Sequence, residues 1–366
     1  MSGGMPNGSR QSKPLRIGFL PVSDCAPLVY AQESGLFSRY ALAVELCRET
    51  RWADVRDKVI HGAFEAGHAP APIPFLANLG IDSDHCACVS ALVLNLEGNA
   101  ITISRRLWQE GVRDAHSLRQ HIYENWGKRT LSFAFPHIFS SQHFLLRKWL
   151  KSADIAPDRE VRLVSIPPVQ MFPTLKLGYI DGFCAGEPWT SLAAQAEGGR
   201  CVATSATLAP LHPEKVLMVR QSVSQKRASE HERLVAALIE ACAFCDRPEN
   251  RPLLAEMLAQ PKYLNTPVEC LQSSPTPGAP PALSLDIFYR CQANDPTDEK
   301  ASWTIDLLYE LLEQHPPDLC NPLRAPMLKN IFRRDLFERA KAIASLPDEV
   351  QTRPVALSGT LAYCHG

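Results

Sequence analysis

Charge of one sign is missing from this sequence in any useful excess: 38 Lys and Arg stand against 39 Asp and Glu in 366 residues, a net charge of -1. That balance leaves no electrostatic footprint for nucleic acid or a membrane surface, and points to a small molecule or another protein as the partner. Long apolar runs are missing too. No stretch approaches the ~18 uninterrupted apolar residues of a membrane-spanning helix. The opening "MSGGMPNGSRQSKPLRIGFLP" has no apolar region followed by a small-residue cleavage site, so residues 1–14 read as a polar, disordered lead and not as a secretion signal. Catalytic signatures are absent as well. With no G-x-S-x-G elbow, no P-loop and no H-E-x-x-H, catalysis has no visible carrier, and the expectation is a protein that is not an enzyme. No internal repeat is visible.

Cysteine, by contrast, is plentiful, with 12 residues. In a chain of this length without an export signal, that usage points to a reducing, cytoplasmic setting with free thiols. Two spacings raise a metal or redox reading, His85-Cys86-Ala87-Cys88 and Cys242-Ala243-Phe244-Cys245. The second lies in the helical pattern "HERLVAALIEACAFC", where buried apolar cysteines are the simpler reading, and no metal site is expected.

The first 100 residues alternate strand and helix patterns: "LRIGFLP", "APLVYAQESGLFSRY", "AVELCRE", "WADVRDKVIHGAF". Such βαβα order implies a parallel sheet covered on both faces, with Gly35 and Gly62 ending the helices at positive φ. A second series follows, from "NAITISRRL" through "TLSFAFP", "SSQHFLLRKWLKSA" and "VRLVSIP" to "YIDGFCAG"; "KVLMVR" adds a further strand, then a long helix at 227–245 and a helical C-terminal part. The reading is two α/β lobes: residues 15–102 with 215–366, and 103–214, with a mobile Pro- and Ser-rich loop at 266–282. Directly after "GFCAG" stands "EPWTSL", a carboxylate and an indole at a helix start. Strand ends of this kind are where α/β proteins meet ligands, although an acid at the positive end of a helix dipole needs no ligand to explain it.

Taken together, "LRIGFLPVSDCAPLVYAQESGLF", "RWADVRDKVIHGAFEAGHAPAPIPF", "LNLEGNAITIS", "FLLRKWL", "DGFCAGEPW", "HPEKVLMV" and "FRRDLFERAKAIA" resemble the NrtA/CmpA group of nitrate- and bicarbonate-binding proteins. The resemblance implies a type II periplasmic-binding-protein fold: two parallel-sheet, Rossmann-like lobes joined by two hinge crossings. Most members of that group are exported receptors of ABC transporters. The short polar start of this chain resembles instead the cytoplasmic NasS-type nitrate sensors, which hold an ANTAR-type, NasT-like antiterminator and release it when nitrate or nitrite binds. A transport receptor, alone or joined to an ATPase, is the alternative. The thiamine-pyrimidine synthases share the fold, but their cysteine-rich loop has no persuasive counterpart here.

Carried over residue by residue, the resemblance implies an anion site of Trp52, Asn99, Gln142, the Gly186 backbone and Lys215. Asn99 stands where the family often has glutamine, and Gln142 where it has histidine, with His143 one residue on as the other candidate for the cleft. Trp52 could equally be a core aromatic, Asn99 a turn residue beside Gly98, and Lys215 a solvated lysine. Glu187 is expected either to position the lobes, to neutralise Lys215, or to bind a cation; in the bicarbonate binders of the group a calcium ion accompanies the anion. His68 is placed near the cleft wall, or as a structural histidine.

Overall fold

The computed structural model describes residues 13–272, 285–312 and 330–346. Most of the expected lead, residues 1–12, and the 273–284 part of the expected loop lie outside the described residues.

Among the described residues, twelve strands fall into two sheets. The first contains β1 (Leu15–Phe19), β2 (Val44–Arg48), β3 (Ala66–Pro70), β4 (Cys88–Val89), β5 (Val93–Glu97), β11 (Pro213–Arg220) and β12 (Asp286–Ile287), ordered β12-β5-β11-β3-β1-β2 with β4 on β11. The second contains β6 (Asn99–Ser104), β7 (Leu131–Phe135), β8 (Val161–Ser165), β9 (Gly182–Gly186) and β10 (Gly199–Thr204), ordered β10-β6-β9-β7-β8.

Each sheet is parallel where the alternating pattern produced it. β2, β1 and β3 run together, joined by helices that include Ala26–Glu33 and Trp52–Ile60, and so do β8, β7 and β9. Gly35 and Gly62 take φ of 73° and 85°, the left-handed values expected at helix ends. The expectation of purely parallel lobes needs correction, because both sheets are mixed. β11 is antiparallel to β3 and β5, and β6 to β9 and β10. A strand that arrives from the other lobe has no crossover helix to return it to the starting edge, so it enters the sheet from the opposite end.

The chain first crosses between the sheets at Gly98, the single residue between β5 and β6, and returns between β10 and β11. The boundaries read at 102/103 and 214/215 therefore fall inside β6 and β11. Gly98 has φ 89°, and a Cβ there would lie 2.0 Å from Asp286 Oδ1, so any other residue would be both strained and blocked.

The long helix Ala228–Cys245 covers the first sheet, burying Leu234, Val235 and Leu238 against β5 and the helix Ala26–Glu33. A smaller apolar cluster spans the two lobes: Leu20, Val22, Trp52 and Val55 meet Met171, Phe183, Ala185 and Trp189. The C-terminal ends of β1, β3 and β9 converge on this seam, and the site lies there.

Candidate functional site

Lys215 is the centre. It lies on β11 between Pro70 of β3 and Asn95 of β5, and its side chain is 1% exposed. Its Nζ is 2.8 Å from Asp24 Oδ2, donates to Glu214 Oε1, and stands 5.2 Å from the centroid of the Trp52 ring. Adjacent strand residues normally point to opposite faces. Here the pairing of β11 with β5 shifts register on both sides of Lys215, an irregularity of the kind that re-aims side chains and brings Glu214 and Lys215 to one spot.

Glu214 is fully enclosed. Gln142 Nε2 donates to its Oε1 at 2.8 Å, Ser141 Oγ donates to Oε2, and His212 Nε2 lies 3.1 Å from Oε2. Burial works against the charge, but the Lys215 ammonium and the His212 contact outweigh it and hold the carboxyl at about 2. Asp24 follows the same logic: burial would raise it, yet Lys215 and His68, whose Nε2 is 3.0 Å from Oδ1, keep it below the usual carboxylate range. The two acids in turn push the Lys215 pKa up against its own burial. One ammonium therefore faces two carboxylates, and the three groups together are net negative.

Around this ion cluster the sequence-read residues take distinct places. Gln142 also donates to Asn99 Oδ1 at 2.8 Å, which leaves the buried Asn99 Nδ2 without a partner; Trp52 Nε1 is likewise buried and unpartnered. Asn99 and Gly186 face each other across β6 and β9. A Cβ on Gly186 would meet Asn99 Oδ1 and Asp24 Oδ2 at 3.7 Å, ordinary contact distance. The protein itself does not require glycine there, so its absent side chain leaves room bounded by Asn99 and Asp24. Trp52, Asn99, Gln142, Gly186 and Lys215 are thus brought together. His68 joins them through Asp24, lying within β3 and wholly buried instead of at a strand end.

His143 does not join. Its ring stacks on Phe135 at 3.9 Å, its Nδ1 is 2.7 Å from the Ile138 carbonyl oxygen, and burial pushes its pKa down to about 4. Glu187 also stands apart from the ion cluster. Its Oε2 accepts from Ser191 N at 3.0 Å, inside the first turn of the helix Trp189–Gln195, while Oε1 is buried without a partner. Burial raises its pKa to about 7. The expected neutralisation of Lys215 by Glu187 is therefore replaced: Asp24 and Glu214 do it. Glu187 touches the other lobe through its carbonyl, which accepts from Ser23 N at 2.7 Å. With Gln142 on Glu214, and His137 Nε2 3.2 Å from Asp82 Oδ2, the two walls of the cleft are in contact.

Among the described residues no group of three or more His, Cys, Asp or Glu is arranged to hold a metal ion. Lys215 Nζ occupies the place between Asp24 and Glu214 that a cation would take, so these residues do not fit calcium as they stand. Cys242 and Cys245 are buried in their helix, where desolvation raises both thiols. No helix among the described residues is long and apolar enough to cross a membrane.

The family model described as the NMT1-like family matches residues 8–259. The chain belongs to the NMT1-like family. Within it stand the NrtA and CmpA substrate-binding proteins. This NMT1-like chain is 38% identical over 354 residues to the "Bicarbonate transport ATP-binding protein CmpC" of a Synechocystis strain, an alignment covering 94% of this chain and 52% of that protein. It is 35% identical over 308 residues to the same organism's "Nitrate import ATP-binding protein NrtC", covering 80% and 45%. The chain spans about half the length of these curated relatives. Among solved structures, the periplasmic nitrate-binding protein NrtA from Synechocystis superposes with a TM-score of 0.82 at 21% identity, covering 92% of this chain and 90% of that one. The fold is the two-lobed type II periplasmic-binding-protein fold.

Sequence reading of this NMT1-like chain missed Asp24, Ser141, His212 and Glu214. Two signals could have found the acids. A lysine buried in a strand requires a counter-charge, which directs attention to Glu214 beside it and to Asp24 in the turn Ser23–Cys25 that follows β1, on the side where α/β sheets place ligand-facing groups.

Proposed function

We propose that the cleft closes on a small planar oxyanion of the nitrate, nitrite or bicarbonate class, and that closure is the signal the domain passes on. The observation that carries this reading is the pair of buried, unpartnered donors, Trp52 Nε1 and Asn99 Nδ2, beside the Lys215 ammonium and the space left at Gly186. A buried donor without an acceptor costs about 1–3 kcal/mol, which an anion's oxygen would recover. Trp52 supplies a flat wall and one N–H, Asn99 an amide N–H, and Lys215 the charge. Asp24 and Glu214 already face Lys215, so an added anion competes with them for its ammonium.

In the sensor reading, the apo form holds an ANTAR-type RNA-binding antiterminator in the cytoplasm and anion binding releases it. Reciprocity requires anion and partner to weaken each other equally, by a typical ~1–3 kcal/mol. The transport reading has one observation in its favour: the relatives at 35–38% identity are ATP-binding proteins, of whose length this chain spans about half. Closure would then be passed to an ATPase.

Titration calorimetry with nitrate, nitrite and bicarbonate, the last with and without calcium, tests the ligand. Micromolar binding that disappears in Lys215→Ala supports the cleft, and silence with all three anions overturns it. Antiterminator capture that ignores the anion would reject the sensor reading while leaving the cleft assignment intact.

A further inference from the structure

The second lobe carries an exposed patch at the end of its sheet away from the cleft. Two short turns build it: "WGKRT" (126–130), which leads into β7, and "KLGY" (176–179), which precedes β9. β7 and β9 are parallel neighbours, so the turns lie side by side, and Arg129 Nη2 donates across them to the Gly178 carbonyl at 3.3 Å. Trp126, Leu177 and Tyr179 are 65%, 70% and 69% exposed, more than any other large apolar side chain among the described residues. Lys128, Arg129 and Lys176 are interleaved with them, and neither turn contains an acid. Arg129 Nη2 is also 3.0 Å from the buried Asp181 Oδ1, so the free charge of the patch is that of the two lysines: Lys128 reaches only the Asn125 side chain at 3.3 Å, and neither lysine pairs with a carboxylate among the described residues.

Folding supplies no reason for this arrangement. Scattered exposed apolar residues are ordinary, but the most exposed ones gathered on one spot mark a contact surface. Trp, Tyr and Arg are also the residue types that dominate interface energetics. Three cations are too few for a nucleic-acid track, and the chain's overall charge of -1 adds nothing to them. Beside the patch opens a cavity of about 350 Å³ whose wall carries Glu110 and Glu124 as well as Arg106, Lys128 and Arg129, so it favours neither sign of charge but is a socket that a side chain fills and a bilayer surface does not.

We propose that this patch docks an acidic segment of a partner protein, with a bulky apolar side chain seated among Trp126, Leu177 and Tyr179 and its carboxylates on Lys128 and Lys176. The patch lies at the N-terminal ends of β7 and β9, whereas Gly186 closes the C-terminal end of β9 at the cleft. Five residues of strand, ~16 Å, separate them. Docking here is therefore indifferent to the anion, stands whether or not the cleft assignment does, and keeps a partner tethered while the lobes open and close.

Trp126 supplies the readout, since Trp52, Trp149 and Trp189 are 2%, 3% and 5% exposed and Trp108 and Trp303 are half-buried, so acrylamide reaches Trp126 first and a Trp126→Phe variant gives the background. The probe is a synthetic peptide alternating Glu and Leu around a central Phe, compared with its Lys-for-Glu counterpart and with phosphatidylglycerol vesicles. The Glu peptide is expected to shield Trp126 from acrylamide and shift its emission to the blue, with affinity lowered about tenfold in a Lys128→Glu/Lys176→Glu double variant and unchanged by nitrate. Both lysines are exposed surface residues, so the variant folds and circular dichroism verifies it. No shielding, equal shielding by the Lys peptide, or shielding by vesicles alone overturns the proposal.

Discussion

Two lysines are buried among the described residues, and their surroundings answer the same problem in opposite ways. Lys215 lies between Asp24 and Glu214, and its pKa rises. Lys300, in the helix Asp298–Leu312, donates to the carbonyls of Gln292, Ala293 and Asp295 at 2.6, 2.9 and 2.7 Å, and burial brings its pKa down to about 8. Two carboxylates in contact outweigh desolvation at Lys215; at Lys300 the charges of Asp295 and Glu299, neither in ion-pair contact with it, do not. The consequence is a division of labour. Lys300 pins the turn 292–295 to its helix, where a partly relinquished proton costs little, whereas Lys215 must stay an ammonium, because Asp24 and Glu214 are ionised on its account.

The comparison breaks first at Lys215. Lys215→Met leaves two carboxylates buried without their cation and is expected to lower stability by about 3–5 kcal/mol in urea unfolding at pH 7, with part recovered when Glu214→Gln is added. A loss under about 1 kcal/mol would mean that the ion cluster is looser than its geometry. The pH dependence sharpens the contrast. For Lys300 the unfolded chain, with an ordinary lysine value of 10.5, binds more protons than the folded one between about 8 and 10.5, so stability rises with pH across that window, by up to about 3 kcal/mol. Lys215 has the reverse sign: its contribution is complete below about 10.5 and is lost only above it. From about pH 8 to about pH 10 the stability difference between the wild type and Lys300→Met should therefore move in favour of the wild type, on top of a fall common to both as thiols raised by burial, Cys242 and Cys245 among them, ionise in the unfolded chain.

Glu187 is the acid counterpart of Lys300, answered by one backbone N–H. Its folded pKa of about 7 lies above the ordinary 4.5, so its contribution is complete below about 4.5 and is lost as pH rises through about 7. Glu187→Gln should therefore be more stable than the wild type at pH 8, by on the order of 2 kcal/mol, with the difference vanishing near pH 4. The smallest effect on stability belongs to Gly186→Ala. Its Cβ makes only 3.7 Å contacts, so the melting midpoint should hardly move while anion affinity falls about tenfold. An unchanged affinity would mean that the space beside Gly186 is not the ligand's.

Much of this was legible in the sequence, and the gaps have physical causes. Strands β1, β2, β7 and β9 and the helices between them follow from apolar runs and from glycines that only left-handed positions explain. Strand direction did not follow, because alternation looks the same read either way, and β6 and β11 take theirs from the crossings. The choice between Gln142 and His143 depends on about 100° of helix rotation, which a short amphipathic pattern does not resolve. Asp24 and Glu214 were hidden for a different reason. Each sits in a motif read for another residue, and Glu214 reaches Lys215 only through a register shift in β11 that no residue spacing announces.

The crossing at Gly98 sets the mechanical character of the clamp. One residue between two paired strands leaves two torsion angles and no slack, and Asp286 stands against the place where a side chain would be. At this crossing the lobes can swing about a fixed point but cannot slide apart, so a given angle of opening always presents the same surfaces. Whatever reads the domain reads an angle.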